Sequence, residues 1–348
     1  MNVGYIGLDH HHRDPYLETL AQLPVDVTAA CEPNPAVDTT DIERLEETPV
    51  YESVDALLEA ESLDAVWITL SNRDTPAAIQ QALDHGVNVY TEKPVARTAA
   101  ELDPVIEAER ASEAIVCVSY PWRNHPFATE LTRRRADGFF GALRSVEARF
   151  VASALAHRDT EHFLFDAEMS RGGILQWLGI HWLDLLPAVL DSRIETVTAR
   201  TARHTPSVDV EDSATLQFEL AGGTLCTLTT GYYLDEGCYD TDIRIRGSAG
   251  TARWDPIGHK FGFSGETTLE LTDLQGRWET PARSVRYEYA DTPGYGGGWG
   301  YAFAEQFLSA CEESGPVPVS LQDAQRVLRV LDAAYESAET GRTVRVLE

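Results

Sequence analysis

Side chains able to do chemistry are concentrated in a few short segments of this 348-residue chain. Near residue 90 the apolar run Val87–Tyr90 leads into Thr91-Glu92-Lys93-Pro94. Lys93 and Lys260 are the only lysines, against 56 aspartates and glutamates, so an ammonium retained here is a poor candidate for surface filler. An ammonium beside a reacting oxygen stabilises developing alkoxide charge, and the planar fork of a guanidinium does not replace it. Pro94 fixes the turn that aims the lysine, and a cis Lys93–Pro94 peptide is one way to do so. A second segment is Gly7-Leu8-Asp9-His10-His11-His12, directly after the apolar run Val3–Gly7. A first strand-to-helix turn of this kind holds a dinucleotide pyrophosphate on backbone N–H groups, and its usual form is GxGxxG. Only Gly7 matches; Asp9 and His12 take the other two glycine places. Asp9 is expected to turn from the phosphates and bond the turn's own N–H groups. No metal is expected at the three histidines, because consecutive loop residues do not converge on one ion. The third segment is Cys31-Glu32-Pro33-Asn34, about 25 residues past Gly7. Glu32 is placed to accept hydrogen bonds from ribose hydroxyls and to repel a 2′-phosphate, which favours NAD over NADP. The alternative is a plain loop acid in an acid-rich chain.

The elements that must position these groups follow from hydrophobic pattern. Strand-like runs at Val3–Gly7, Val25–Cys31, Ala65–Leu70, Val87–Tyr90 and Ala114–Ser119 alternate with helical patterns at Tyr16–Ala21, Val54–Ala60, Pro76–His85 and Ala99–Arg110. Strands alternating with helices predict βαβ units and a parallel, doubly wound sheet. After Tyr120 the texture changes: helices are expected at Phe127–Ala136, from Ile174 or His181 to Leu190, at Ala302–Glu312 and at Leu321–Thr340. An extended stretch covers Arg144–Leu155, and strands with turn signals run from Ile194 to Tyr289. The fold class is therefore α/β, with a dinucleotide-binding domain over residues 1–121. An α+β domain with a large, mostly antiparallel open sheet covers 122–348, for substrate binding and oligomerisation.

Composition limits the partners. A net charge of −28, with acids spread along the whole chain, excludes non-specific attraction to nucleic acid and a disordered acidic tail. Near-absence of lysine on a carboxylate-rich chain points to a protein working in concentrated salt, where at ~1 M the Debye length falls to about 3 Å. No 18-residue apolar run appears; the nearest approach, Ile174–Leu190, is interrupted by Gln176, Gly179, His181 and Asp184. The start of the chain reads as a first strand and not as a signal peptide. Five scattered cysteines without a CxxC pair fit a reducing interior. A cytoplasmic protein without membrane contact is expected.

At Glu92-Lys93-Pro94 following a fifth strand, the chain resembles the glucose–fructose oxidoreductase and inositol dehydrogenase (Gfo/Idh/MocA) family. Asp64-Ala65-Val66-Trp67-Ile68 with Ser71-Asn72 resembles that family's fourth strand and nicotinamide-side loop. Tyr120-Pro121-Trp122-Arg123 and Gly138-Phe139-Phe140-Gly141 are similar to its entry into the second domain. Arg171-Gly172-Gly173-Ile174-Leu175, leading to Gly179-Ile180-His181-Trp182-Leu183-Asp184, is similar to its GG…GxHxxD segment, and Val210-Glu211-Asp212 and Gly247-Ser248-Ala249-Gly250 follow in order.

The resemblance implies an N-terminal Rossmann domain and an NAD-dependent oxidoreductase. Hydride would pass between nicotinamide and a secondary alcohol of a sugar, polyol or inositol-like compound. It implies that Lys93 is catalytic or substrate-orienting and that His181 accepts the hydroxyl proton. Gly7, Leu8, Asp9, His10, Glu32, Ser71, Asn72, Glu92 and Lys93 would meet the cofactor. The family's aspartate four residues before the histidine is replaced by Trp177, so Asp184 becomes the nearest carboxylate in sequence. Trp122, Arg123, His157 and Trp177 are candidates for the substrate pocket, tryptophan faces being suited to sugar C–H surfaces; core packing is the alternative for each. Tyr295, Trp299 and Tyr301, around the glycine-rich loop Gly294–Gly300, form either a mobile rim or a plain linker. The departures leave two rivals open: a non-catalytic dinucleotide- or sugar-sensing protein, and an NAD-retaining lyase or glycosidase. An open sheet face needing cover implies a homodimer or homotetramer.

Overall fold

The computed structural model describes residues 1–40, 42–257, 266–288, 292–313 and 315–347; Lys260 and Tyr289 lie outside the described residues. In chain order the strands are β1 Asn2–Ile6, β2 Asp26–Cys31, β3 Val50–Tyr51, β4 Ala65–Ile68, β5 Asn88–Thr91, β6 Val116–Val118, β7 Leu143–Ser153, β8 Ile194–Ala202, β9 Ser213–Leu220, β10 Thr224–Leu234, β11 Tyr239–Gly247, β12 Gly250–Trp254, β13 Glu266–Asp273, β14 Ala282–Glu288 and β15 Val344–Arg345. The helices are α1 Arg13–Leu20, α2 Val54–Ala60, α3 Thr75–Asp84, α4 Asp103–Ala111, α5 Pro126–Ala136, α6 Ala167–Ser170, α7 Ile180–Leu190, α8 Gly297–Glu313 and α9 Leu321–Thr340. They divide into two compact units, Met1–Pro121 with Thr292–Gln325, and Trp122–Asp291 with Arg326–Glu348.

The first unit is built on a sheet of order β3-β2-β1-β4-β5-β6, parallel throughout. That is the Rossmann order, and its direction reverses between β1 and β4, where such sheets bind ligands at their carboxyl ends. β4 is buried at every position, as a parallel strand covered on both faces must be. The expectation that residues 292–325 belong with the second domain is corrected here. Phe303 and Phe307 of α8 pack edge-on against Tyr90, and Phe307 against Trp67, whose ring stacks on Tyr90 at 3.6 Å. The parallel sheet needs this cover, and a segment late in the chain supplies it. The glycine-rich segment is also more ordered in kind than a rim or linker, since α8 already begins at Gly297. Tyr295 is anchored on α1, its N–H donating to the Pro15 carbonyl at 3.0 Å and its ring lying 4.3 Å from His12 and 4.5 Å from Tyr16.

The second unit carries a sheet of order β14-β13-β12-β11-β7-β10-β9-β8-β15. Only β7 and β10 run parallel; the other pairs are antiparallel. Alternation sorts its faces: Val146, Ala148, Phe150, Ile243 and Ile245 are buried, while Glu147, Arg149, Arg244 and Arg246 point the other way. The open face is a ladder of ion pairs. Arg149 meets Asp240 at 3.0 Å, Arg246 meets Glu147 at 2.7 Å, and Arg244 and Arg253 meet Asp242 at 2.6 and 2.9 Å. The stretch Ala167–Leu190 is long and apolar enough to cross a membrane by length and composition, contrary to the reading of its interruptions. However, 83% of its apolar window is buried inside the protein, as in a core helix.

Candidate functional site

Within the first unit, Gly7 shapes the turn after β1. Its φ is +92°, and an added Cβ would lie 2.7 Å from the Thr69 carbonyl carbon, so only glycine lets the ends of β1 and β4 approach this closely. Glu32, at the end of β2, reaches back into that turn: Leu8 N–H donates to its Oε2 at 2.5 Å and Asn34 N–H to its Oε1 at 2.8 Å. Burial raises the Glu32 carboxyl above its ordinary range, with the Asn34 and Leu8 N–H groups pulling the other way. Glu32 thus takes N–H groups of the turn, and Asp9 beside it is exposed. Arg13 closes the turn by donating from Nη1 to the Leu8 carbonyl at 2.7 Å.

The ground for excluding a metal also fails, because the ligand nitrogens of His10, His11 and His12 lie within 4.8 Å of one another.

After β4, Ser71 and Asn72 are buried. Ser71 Oγ donates to Asp74 at 2.6 Å, and the Ser71 carbonyl accepts from Thr75 Oγ1 at 2.8 Å, which fixes the loop to the start of α3. After β5, the Lys93–Pro94 peptide is cis. Lys93 is 2% exposed, and its Nζ lies 3.3 Å from Glu92 Oε1, itself on a side chain 3% exposed. His12 Nδ1 lies 3.7 Å from the same oxygen, and Tyr16 O–H donates to Glu92 Oε2. Tyr16 and His12 were missed as parts of this cluster. Their only sequence signal was position, three and seven residues from Asp9 on the first turn and helix.

Within the second unit the helix carrying His181 is set by Glu211. Its carboxylate accepts from Gly173 N–H at 2.8 Å, Leu175 N–H at 3.1 Å and Tyr335 O–H at 3.0 Å, and burial raises its pKa above the ordinary range. A Cβ at residue 173 would sit 1.9 Å from the Glu211 carbonyl oxygen, so Gly172-Gly173 and Val210-Glu211-Asp212 form one joint. From there Leu175–Gly179 is a π-helical turn that leads into α7. Asp212 ties the neighbouring loop, accepting from the N–H groups of His204 and Thr205.

His181 is 4% exposed, with the rings of Trp122 at 6.4 Å and Phe150 at 6.1 Å. Asp184, the nearest carboxylate in sequence to His181, is buried. Arg123 grips it through Nε at 3.0 Å and Nη2 at 2.5 Å. Trp177, expected at the pocket, is 3% exposed in an apolar cluster with Leu155, Phe165, Ile174, Val210 and Tyr232; its Nε1–H donates to the Leu164 carbonyl at 3.1 Å. Packing explains this tryptophan better than sugar stacking does. Trp122 is buried against Trp182 and Trp254, whereas His157 is exposed on the turn Leu155–His157. His125, also missed, is fully buried; its Nδ1 accepts from Phe127 N–H at 3.1 Å, and burial lowers its pKa to about 3.

A Rossmann sheet with an acid at the end of β2 and a buried lysine after β5 defines a dinucleotide-dependent class of protein. Residues 1–120 match the oxidoreductase family with an NAD-binding Rossmann fold, and residues 129–253 match the GFO/IDH/MocA C-terminal domain. The chain belongs to the Gfo/Idh/MocA oxidoreductase family. It is 25% identical to D-xylose 1-dehydrogenase (NADP(+)) 2 of Haloferax volcanii, over 85% of this chain and 84% of that protein. It is 24% identical to myo-inositol 2-dehydrogenase of Thermotoga maritima, over 88% and 86%. Levoglucosan dehydrogenase, solved with NADH and levoglucosan, shares the fold with a TM-score of 0.85 at 19% identity, covering all of both chains.

Proposed function

We propose that the protein is an NAD-dependent dehydrogenase acting on a secondary alcohol of a sugar, polyol or inositol-like compound. The observation that carries this reading is Lys93: a buried lysine, paired with Glu92 at the carboxyl end of β5, in a chain that has one other lysine and uses arginine for its remaining side-chain cations. Gly7 lets the turn after β1 close against the end of β4 at the sheet's switch point, and Glu32 offers a carboxylate at the ribose end, so the residues fit a dinucleotide. Bound NAD supplies the hydride acceptor. The turn Gly7, Leu8, Asp9 and His10 is assigned to its pyrophosphate, and Ser71, Asn72 and Glu92 to its nicotinamide side. Glu32 keeps acceptor capacity for ribose hydroxyls beside its two backbone donors, and its charge disfavours a 2′-phosphate. Lys93 holds the substrate oxygen and stabilises alkoxide charge. His181 takes the hydroxyl proton. Trp122, Arg123 and His157 are assigned to the pocket, and Trp177 to packing.

Several relatives bear names of sugar or inositol dehydrogenases, which supports this substrate class. The protein works in the cytoplasm at high salt, as a homodimer or homotetramer through the open sheet face. There the alternating arginines and carboxylates offer a twofold copy both signs of charge. The sensor reading draws on two departures in the sequence, Trp177 where the resemblance places the family's aspartate and a turn that keeps only Gly7 of the three glycines. A panel of aldoses, polyols and inositols, assayed in molar KCl with NAD and separately with NADP, decides between them. Net NADH formation with at least one compound is expected, with NADP inferior. NAD binding without turnover on any compound would overturn the dehydrogenase in favour of the sensor, and equal or tighter NADP binding would overturn the role of Glu32.

A further inference from the structure

The buried cluster around Lys93 contains more chemistry than the reaction has used. We infer that Glu92 is the positioning residue that keeps Lys93 an ammonium inside the protein, and that Tyr16 and His12 hold Glu92 for this task. The inference takes its purpose from the dehydrogenase reading, but its test does not depend on that reading.

An isolated ammonium buried to the extent of Lys93 favours its neutral amine. An isolated carboxylate as buried as Glu92 favours its acid form for the same reason. The pair resolves both problems only if Glu92 is itself supplied with donors. The geometry supplies one hydrogen-bond donor and brings two side-chain nitrogens close to the other oxygen. Lys93 Nζ lies 3.3 Å and His12 Nδ1 3.7 Å from Oε1, while Tyr16 O–H donates to Oε2. Tyr16 is oriented in turn: Tyr90 O–H donates to Ser119 Oγ at 2.9 Å, and Ser119 Oγ stands 2.8 Å from the Tyr16 oxygen. With Ser119 donating onward to Tyr16, three hydroxyls point their protons one after another toward the carboxylate.

The titration directions agree with this geometry. Burial pushes Lys93 down, and Glu92 beside it works against that. Burial pushes the Glu92 carboxyl up, yet Lys93, His12 and Tyr16 together carry it below its ordinary range. Other titratable groups face Glu92 from several elements: Tyr5 of β1, Tyr16 of α1, Tyr90 of β5, and Tyr295 before α8. Burial raises all four phenols above their ordinary range, so they stay neutral. His12 stands where a dinucleotide turn commonly has its third glycine, and contact with Glu92 gives that departure a use.

Having two lysines makes the charge of Lys93 directly readable. Lysine labelled selectively with 13C gives two Cε signals; Lys260→Arg removes one, and the other reports whether Lys93 is ammonium or amine. In the Lys260→Arg background, Lys93 is expected to remain an ammonium through neutral pH. Glu92→Gln should lower its midpoint by roughly 1–3 pH units, the usual effect of one opposite charge at this range. Glu92→Asp should recover part of that shift. Tyr16 and His12 are tested by the same signal: Tyr16→Phe and His12→Gln should each move the Lys93 midpoint, and by less than Glu92→Gln does. The alkaline limb of kcat should move to lower pH with Glu92→Gln by the same amount as the midpoint. A midpoint unchanged in both Glu92→Gln and Glu92→Asp overturns the inference, as does a wild-type Lys93 already neutral at pH 7. An enzyme inactive on every compound would instead defeat the dehydrogenase reading, while the titration still decides the role of Glu92.

Discussion

Lys93 and His181 are buried to nearly the same degree, 2% and 4% exposed, yet their surroundings differ in kind. Lys93 lies in a polar nest in which a carboxylate, a phenol and an imidazole converge within one unit. His181 lies on a helix among aromatic rings, and the carboxylate three residues on is held by a guanidinium. The first environment is organised to maintain a charge. The second is organised to hold an imidazole in place by packing. The difference is one of construction: polar partners hold Lys93, and aromatic packing holds His181.

The largest expected effects lie in turnover. His181→Ala should lower kcat by roughly 10²–10⁴, the range for loss of a general base. Lys93→Arg should lower it by about 10²–10³, although charge is kept, because the fork cannot occupy the ammonium's place. Steady-state rates at saturating NAD check both, and a Lys93→Arg variant near wild type would erase the contrast between the two sites. Next in size is the Arg123–Asp184 pair. Asp184→Asn should cost roughly 1.5–3 kcal/mol of stability by weakening the charged hydrogen bonds from the partly exposed Arg123 guanidinium, while the pH profile of kcat keeps its shape. Denaturant melts and the profile test this, and a displaced acid limb would make Asp184 the partner of His181 after all.

A smaller effect belongs to His125. Its pKa is about 3 in the fold against an ordinary value near 6.5, so the unfolded chain binds the extra proton between those values. Stability contributed by the neutral ring is complete above about pH 6.5 and is lost at up to ~1.4 kcal/mol per unit as pH falls toward 3. His125→Asn, which keeps an acceptor for Phe127 N–H, should flatten the acid limb of stability. An unchanged limb would show that this ring takes up its proton without unfolding. The smallest effect concerns the whole surface: melting temperature should fall by several degrees between molar and dilute KCl, as repulsion among the carboxylates loses its screening. An unchanged midpoint would remove the inference of a saline habitat and leave the site untouched.

Much of the first unit was legible because its signals are local. The β1, β2, β4 and β5 runs, and Pro76 with Gly86 around α3, carry their own pattern. β3 was missed because two residues, Val50 and Tyr51, display no alternation. Residues 292–325 were assigned to the wrong unit because amphipathic helices do not say which sheet they cover; only Phe303 and Phe307 meeting Tyr90 settles it. The π-helical turn at 175–179 was invisible, since its residues suit an α-helix equally well. Lys93 and His181 could be singled out by residue type and motif, but their partners could not. Tyr16 and Glu92 are 76 residues apart, and Arg123 and Asp184 are 61 apart. Such pairings are made by the fold, and no spacing in the chain records them.

Hydride transfer from substrate carbon is the central claim, and isotope transfer tests it most directly. The most active compound of the panel, deuterated at its carbinol carbons, would be oxidised in a single turnover with excess enzyme and NAD, and the resulting NADH examined by mass spectrometry. The dehydrogenase account predicts one deuterium in the NADH and a slower turnover than with the unlabelled alcohol. NADH free of deuterium would contradict it, as would deuterium returned to a cleaved or eliminated product with no net NADH.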